Sequence, residues 1–173
     1  MKLSLILLVL AVMAWGQAEG PLMKSILPRY QAIKQNLLET AEAMPEADYS
    51  YRLTPAQRTF AEWMEHNVMM NYGMCSAVMG QAAPDTKKYH GLTAKADLQK
   101  ALKESFDYCD QAFQGMTDEK ALATVTVEGR PVTPVNSMIG LLANWNEHYG
   151  NLVGYLRTNG MVPPSTARAQ KKQ

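Results

Sequence analysis

Charge of one sign, cysteine, histidine and long apolar runs are all scarce in this chain. With 17 basic against 16 acidic residues in 173, no basic surface is on offer to neutralise phosphates, which argues against a nucleic-acid binder. The longest apolar stretch, Leu3 to Trp15, is too short to span a bilayer comfortably. It follows the positive charge of Met1-Lys2 and precedes the small residues of Gly16-Gln17-Ala18, so 1–18 reads as a signal peptide cleaved after Ala18. The product is then periplasmic or extracellular, free of the membrane, and left with 16 basic and 16 acidic residues once Lys2 is lost. An uncleaved anchor is the rival reading, and the shortness of the run counts against it. No cysteine lies near the cleavage site, which argues against a lipid anchor. No internal repeat is present.

The two cysteines have no histidine near them in sequence and no evident positive environment, so a catalytic thiol is the weakest reading of them. Cys75 shares an apolar stripe with Val68 and Val78, and Cys109 shares one with Leu98 and Leu102. They are either two buried free thiols or a bridge between the second and third helices. An oxidising destination favours the bridge.

What is present suits one globular domain: 47% hydrophobic and 19% charged residues over a length that supports a core. Ile26, Tyr30, Ile33, Leu37, Ala41 and Met44 recur at threes and fours, the stripe of a first helix that Pro45 closes. Residues 45–58 form a turn-rich crossing. Thr59-Phe60-Ala61-Glu62 is a capping-box pattern that starts a second helix running to about Gly80. Its apolar arc holds Phe60, Trp63, Met64, Met70, Met74, Cys75 and Val78, with Glu62, Glu65 and Ser76 opposite. A loop over 81–93 leaves His90 exposed. The third helix starts at Thr93 or Ala94, buries Leu98, Leu102, Ser105 or Phe106, Cys109 and Phe113, and stops at Gly115. Thr124 to Val127 alternates like a strand with a turn at Glu128-Gly129-Arg130, giving one short hairpin or a loop. The fourth helix begins within Thr133–Asn136, runs to Arg157 and ends at Asn159-Gly160, with Val162-Pro163-Pro164 behind. The expectation is an all-α four-helix bundle over 19–164. A disordered tail over 165–173 follows, whose Arg168, Lys171 and Lys172 are solvated.

Polar residues interrupt the apolar faces. His148 falls inside the arc of Leu141, Trp145, Tyr149, Leu152 and Leu156, where an imidazole needs a hydrogen-bond acceptor or a metal. His66 sits at the edge of the second helix's arc, and Asn67 and Asn71 lie near its middle. Two buried amides must be hydrogen-bonded, which points to a polar pocket inside the bundle. Cys75 faces about 180° away from His66 and cannot share a metal with it. Met70 and Met74 follow His66 at helical spacing, which admits a copper(I) reading, although methionine commonly fills cores.

Asn146-Glu147-His148-Tyr149-Gly150-Asn151-Leu152-Val153, with Tyr155-Leu156-Arg157 and Val162-Pro163-Pro164 after it, resembles the last long helix of the DinB-like (DinB/YfiT) family. Met44-Pro45-Glu46-Ala47-Asp48-Tyr49-Ser50-Tyr51-Arg52-Leu53-Thr54-Pro55 resembles a second family segment, continued by Arg58-Thr59-Phe60, His66, Asn71-Tyr72 and Cys75-Ser76. The resemblance spans most of the chain after the first twenty or so residues. It implies a helical bundle with an open divalent site of three histidines plus water, of zinc or nickel type, in proteins that include thiol-dependent transferases and hydrolases. His66 and His148 match two of those ligands, but Asn144 stands at the third, and a neutral amide is a poor replacement for imidazole. Three outcomes follow: a weak site on His66, His148 and a carboxylate such as Glu147; a different metal held with Asn144 or a methionine; or no metal. In the last case His66, Asn71, Asn144 and His148 would form a pocket for a small organic ligand. The functional alternatives are a metal-dependent hydrolase or transferase, and a non-catalytic bundle serving a small molecule or a protein partner. A homodimer through a helix face is compatible with either.

Overall fold

The computed structural model describes residues 20–127 and 129–172, so the expected signal peptide over 1–18 and Glu128 of the expected turn lie outside the described residues. Six helices and one hairpin follow in order: α1 (Pro21–Ala43), α2 (Phe60–Met79), α3 (Lys95–Phe113), α4 (Asp118–Leu122), β1 (Val125–Val127), β2 (Arg130–Val132), α5 (Pro134–Thr158) and α6 (Pro164–Gln170). The four long helices make the bundle. α2 packs on both α3 and α5, and α1 closes the ring against the same two. No helix among the described residues is long and apolar enough to cross a membrane.

Side chains fix the helix ends. Pro21 opens α1, where its missing N–H costs nothing. The next two amides, of Leu22 and Met23, donate to the Asp118 carboxylate at 2.9 Å each. A Cβ at Gly20 would run into that carboxylate, so the approach needs glycine. At the other end of α1, the Tyr49 hydroxyl donates to the Ala41 carbonyl at 2.6 Å, and Lys95 Nζ donates to the Glu42 and Met44 carbonyls at 2.7 Å each. These bonds satisfy acceptors that the last helical turn leaves open. The expected capping box starts α2: Glu62 N–H donates to Thr59 Oγ1 at 3.1 Å while Thr59 N–H donates to Glu62 Oε2 at 2.6 Å. Gly80 ends it in the left-handed region.

The core is centred on Trp145 of α5, fully buried against Tyr30 of α1 and Phe106 of α3, both at 5.5 Å between ring centres. Tyr30 stacks in turn on Phe113 at 3.9 Å. Cys75 and Cys109 form the α2–α3 disulfide, with Cα atoms 5.2 Å apart.

Three expectations are corrected. Ser76, placed on the outer face of the second helix, is buried: it donates to the Tyr72 carbonyl at 2.7 Å and meets the Tyr108 hydroxyl at 2.6 Å. α2 is covered by α3 on one side and α5 on another, so its buried surface exceeds one stripe, and Met70 and Met74 are left only partly buried. Residues 165–170 of the expected disordered tail lie in the helix α6, which Pro164 opens. Tyr149 anchors it through Ser165, whose Oγ lies at 2.8 Å, and Arg168 reaches Glu39 and Asn36 on α1. α4 was not expected at all. The hairpin is present, with Val125 opposite Val132, Thr126 opposite Pro131 and Val127 opposite Arg130.

Candidate functional site

At the end of the bundle where α2 begins and α5 finishes, His66 and His148 come together with ring centres 4.8 Å apart. They lie on different helices and meet because α2 and α5 pack against each other. Trp63, one turn before His66, completes the cluster at 5.8 Å from His66 and 5.2 Å from His148. Its indole N–H donates to the Tyr155 hydroxyl at 3.2 Å, and that hydroxyl donates to the Arg58 carbonyl. The Arg58 guanidinium lies over the Trp63 ring, 5.0 Å from its centre.

His148 is 7% exposed, and its Nδ1 lies 3.2 Å from Asn67 Oδ1. The Asn67 amide has a fixed sense, because its Nδ2 donates to the Trp63 carbonyl at 2.8 Å. The oxygen therefore faces the ring, and His148 Nδ1 must be the donor. Its proton is thereby assigned to Nδ1, and Nε2 keeps its lone pair. His66 is half-buried and makes no side-chain hydrogen bond among the described residues. Both rings resist protonation. Burial is the main cause for each; Arg58 adds to it at His66, and His66 itself adds to it at His148. Glu147 opposes the shift at His148 and Arg58 reinforces it. Two neutral imidazoles at neutral pH are the result.

The two rings meet edge to face, at 61° between their planes. The third position is different. Asn144, one turn before His148, turns its amide to the Met74 thioether at 3.5 Å and makes no hydrogen bond to either imidazole among the described residues. Glu147 is exposed and is felt at His148 only through its charge. Among the described residues no three His, Cys, Asp or Glu side chains are grouped as a metal site. The residues present thus offer two imidazoles side by side and no third ligand among the described residues.

Asn71 is placed away from this pair. It is fully buried, takes the Trp145 indole N–H on Oδ1 at 2.7 Å and donates to Ser105 Oγ at 2.9 Å, so its amide is spent inside the core. His90 is exposed and pairs with Glu65 at 3.3 Å. Sequence reasoning missed Asn67 as the partner of His148, and it missed Trp63, Arg58 and Tyr155 as the frame around the pair. The available signals were the spacing of Trp63, Asn67 and His66 on one helix and the requirement that a buried amide be paired.

A model of the DinB superfamily matches residues 29–152. Among solved structures, the fold is similar to that of a DinB-like protein from Bacillus cereus, with a TM-score of 0.67 and 17% identity over 82% of this chain and 95% of that one. At that identity the likeness bears on the fold alone. No curated protein matches the chain.

Proposed function

The chain belongs to the DinB superfamily, and from that premise we propose that it is an exported bundle whose working site is the His66–His148 pair, holding a divalent ion of zinc or nickel type. The observation that carries this reading is the bond from His148 Nδ1 to a sense-locked Asn67, beside a second neutral imidazole at 4.8 Å. A ligating histidine usually has its other nitrogen held in this way. When bound, such an ion supplies Lewis-acid polarisation and a lowered pKa for a coordinated water, the chemistry of metal-dependent hydrolysis or group transfer. The chain's own contributions are distinct from that. Asn67 fixes the His148 tautomer, Trp63 and the buried face of α5 exclude water from one side of the pair, and Arg58 sets a positive charge at its edge. The α2–α3 disulfide supports the export reading, since such bonds persist in oxidising compartments.

Metal content tests the proposal. Mass spectrometry on the untagged mature protein is expected to find bound metal that His148→Ala loses and Asn144→His retains more tightly. Metal held equally well by His148→Ala would refute it. A second reading, a non-catalytic bundle with a degenerate site, is favoured by the engagement of Asn144 with Met74. It predicts an empty wild type that Asn144→His fills.

A further inference from the structure

A cleft of about 490 Å³ opens in front of His66, lined by Arg52, Gln57 and Arg58 of the crossing segment and by Glu62, Glu65 and Met69 of α2. The two carboxylates are already engaged. Glu62 accepts from Thr59 N–H at 2.6 Å and lies 3.9 Å from Arg52, while Glu65 accepts from Gly91 N–H at 3.1 Å and lies 3.3 Å from His90. Arg58 is different. Glu62 feels its charge, but among the described residues no carboxylate stands within ion-pair distance of it, and its guanidinium lies on the Trp63 ring instead. The Tyr155 hydroxyl bonds the Arg58 backbone carbonyl and the Trp63 indole N–H, which fixes the ring and the backbone that carries the guanidinium. In the same lining Gln57 Oε1 is buried and has no donor.

These features specify a ligand. A guanidinium that no carboxylate engages keeps its N–H groups for an oxyanion, which its fork can bind through two of them. Pinning the backbone of Arg58 and the ring beneath it reduces the ordering that binding must supply. We propose that the cleft binds a small molecule carrying a carboxylate or phosphate, received by Arg58. This names the ligand class of the two-histidine site and rests on the reading that this end of the bundle is the working end. An anionic group here would also supply the negative charge that two neutral imidazoles lack toward a divalent ion.

The Trp63 indole N–H resonance reports on the cleft from beneath Arg58. Nitrogen-15-labelled protein, kept in chelator, is titrated with inorganic phosphate, propionate and lactate, the last two differing by the hydroxyl next to the carboxylate. Saturable shifts are expected, and Arg58→Gln should weaken them roughly tenfold or more. Arg58→Lys, which keeps the charge without the fork, should fall between. Preference for phosphate would identify a phosphorylated ligand, and preference for the acids an organic one. His148→Ala is expected to keep the anion response while losing metal, so failure of the metal reading and failure of this one are separable. No saturable shift with any of the three probes, or equal affinity in Arg58→Gln, overturns the proposal.

Discussion

Asn67 and Asn71 are the same residue type, one turn apart on the same helix and equally buried, yet they do different work. Asn71 ties three helices together by accepting from Trp145 and donating to Ser105. Its replacement by alanine removes two hydrogen bonds and strands an indole N–H in the core, an expected loss of about 2–3 kcal/mol, measurable by urea unfolding. Asn67 instead orients a ring. Asn67→Ala should leave the fold in place and, if the pair holds an ion as proposed, weaken its binding by roughly 10–100-fold, the range for partners of a ligating histidine. Nitrogen NMR of His148 should show its proton on Nδ1 in the wild type and an altered tautomer balance in the variant. If the tautomer is unchanged in Asn67→Ala, the hydrogen bond does not set it. That both amides needed partners was legible from their positions in an apolar arc. Which partners they would find depended on how α5 and α3 pack against α2, and helical periodicity does not contain that.

The long helices were legible because each carries an apolar stripe over many turns and ends at a proline or glycine. α4 and α6 were not, because helices of 5 and 7 residues are too short to show a period. Their signals were local instead: Thr117 accepts from the Lys120 amide at 3.2 Å as the cap of α4, and Pro164 opens α6. α4 is held in place because its Asp118 caps α1 across 95 residues of sequence, a contact no local pattern announces. Asp118→Ala should cost about 1–2 kcal/mol through the lost cap and the lost charge at the positive end of α1. Arg168→Ala on α6 breaks a partly exposed ion pair and should cost no more than about 1 kcal/mol. The largest single effect between elements belongs to the α2–α3 disulfide, which closes a loop of 34 residues. The double substitution Cys75→Ala/Cys109→Ala is expected to lose up to about 4 kcal/mol by constraining the unfolded chain less. A loss below 1 kcal/mol would mean that the unfolded state is already compact around this pair.

For the molecule as a whole, burial of titratable groups sets the pH range of stability. His66 and His148 have folded pKa values below the ordinary 6.5, so the unfolded chain takes up protons first as pH falls. The unfolded state then binds more protons than the native one, and stability drops from pH 6.5 downward until the folded pKa values are passed. Above 6.5 both states are neutral at these positions and the term is flat. The buried phenols act with the opposite sign. Tyr30, Tyr49 and Tyr72 are pushed up from 10.0, chiefly by burial, so their contribution is complete below pH 10 and is lost as pH rises beyond it. Glu62 has a lowered pKa from its bond to Thr59, so its contribution is present above the ordinary carboxylate pKa and is lost as pH falls past it. The expected profile is a plateau from about pH 6.5 to 10 with a distinct acid shoulder that begins well above carboxylate titration. Urea midpoints measured across pH locate that shoulder, and in His66→Gln/His148→Gln it should vanish while the loss at lower pH remains. Bound metal should steepen it, because protons then compete with the ion for the same nitrogens. A shoulder that survives in the double variant would assign acid sensitivity to groups outside the two-histidine site.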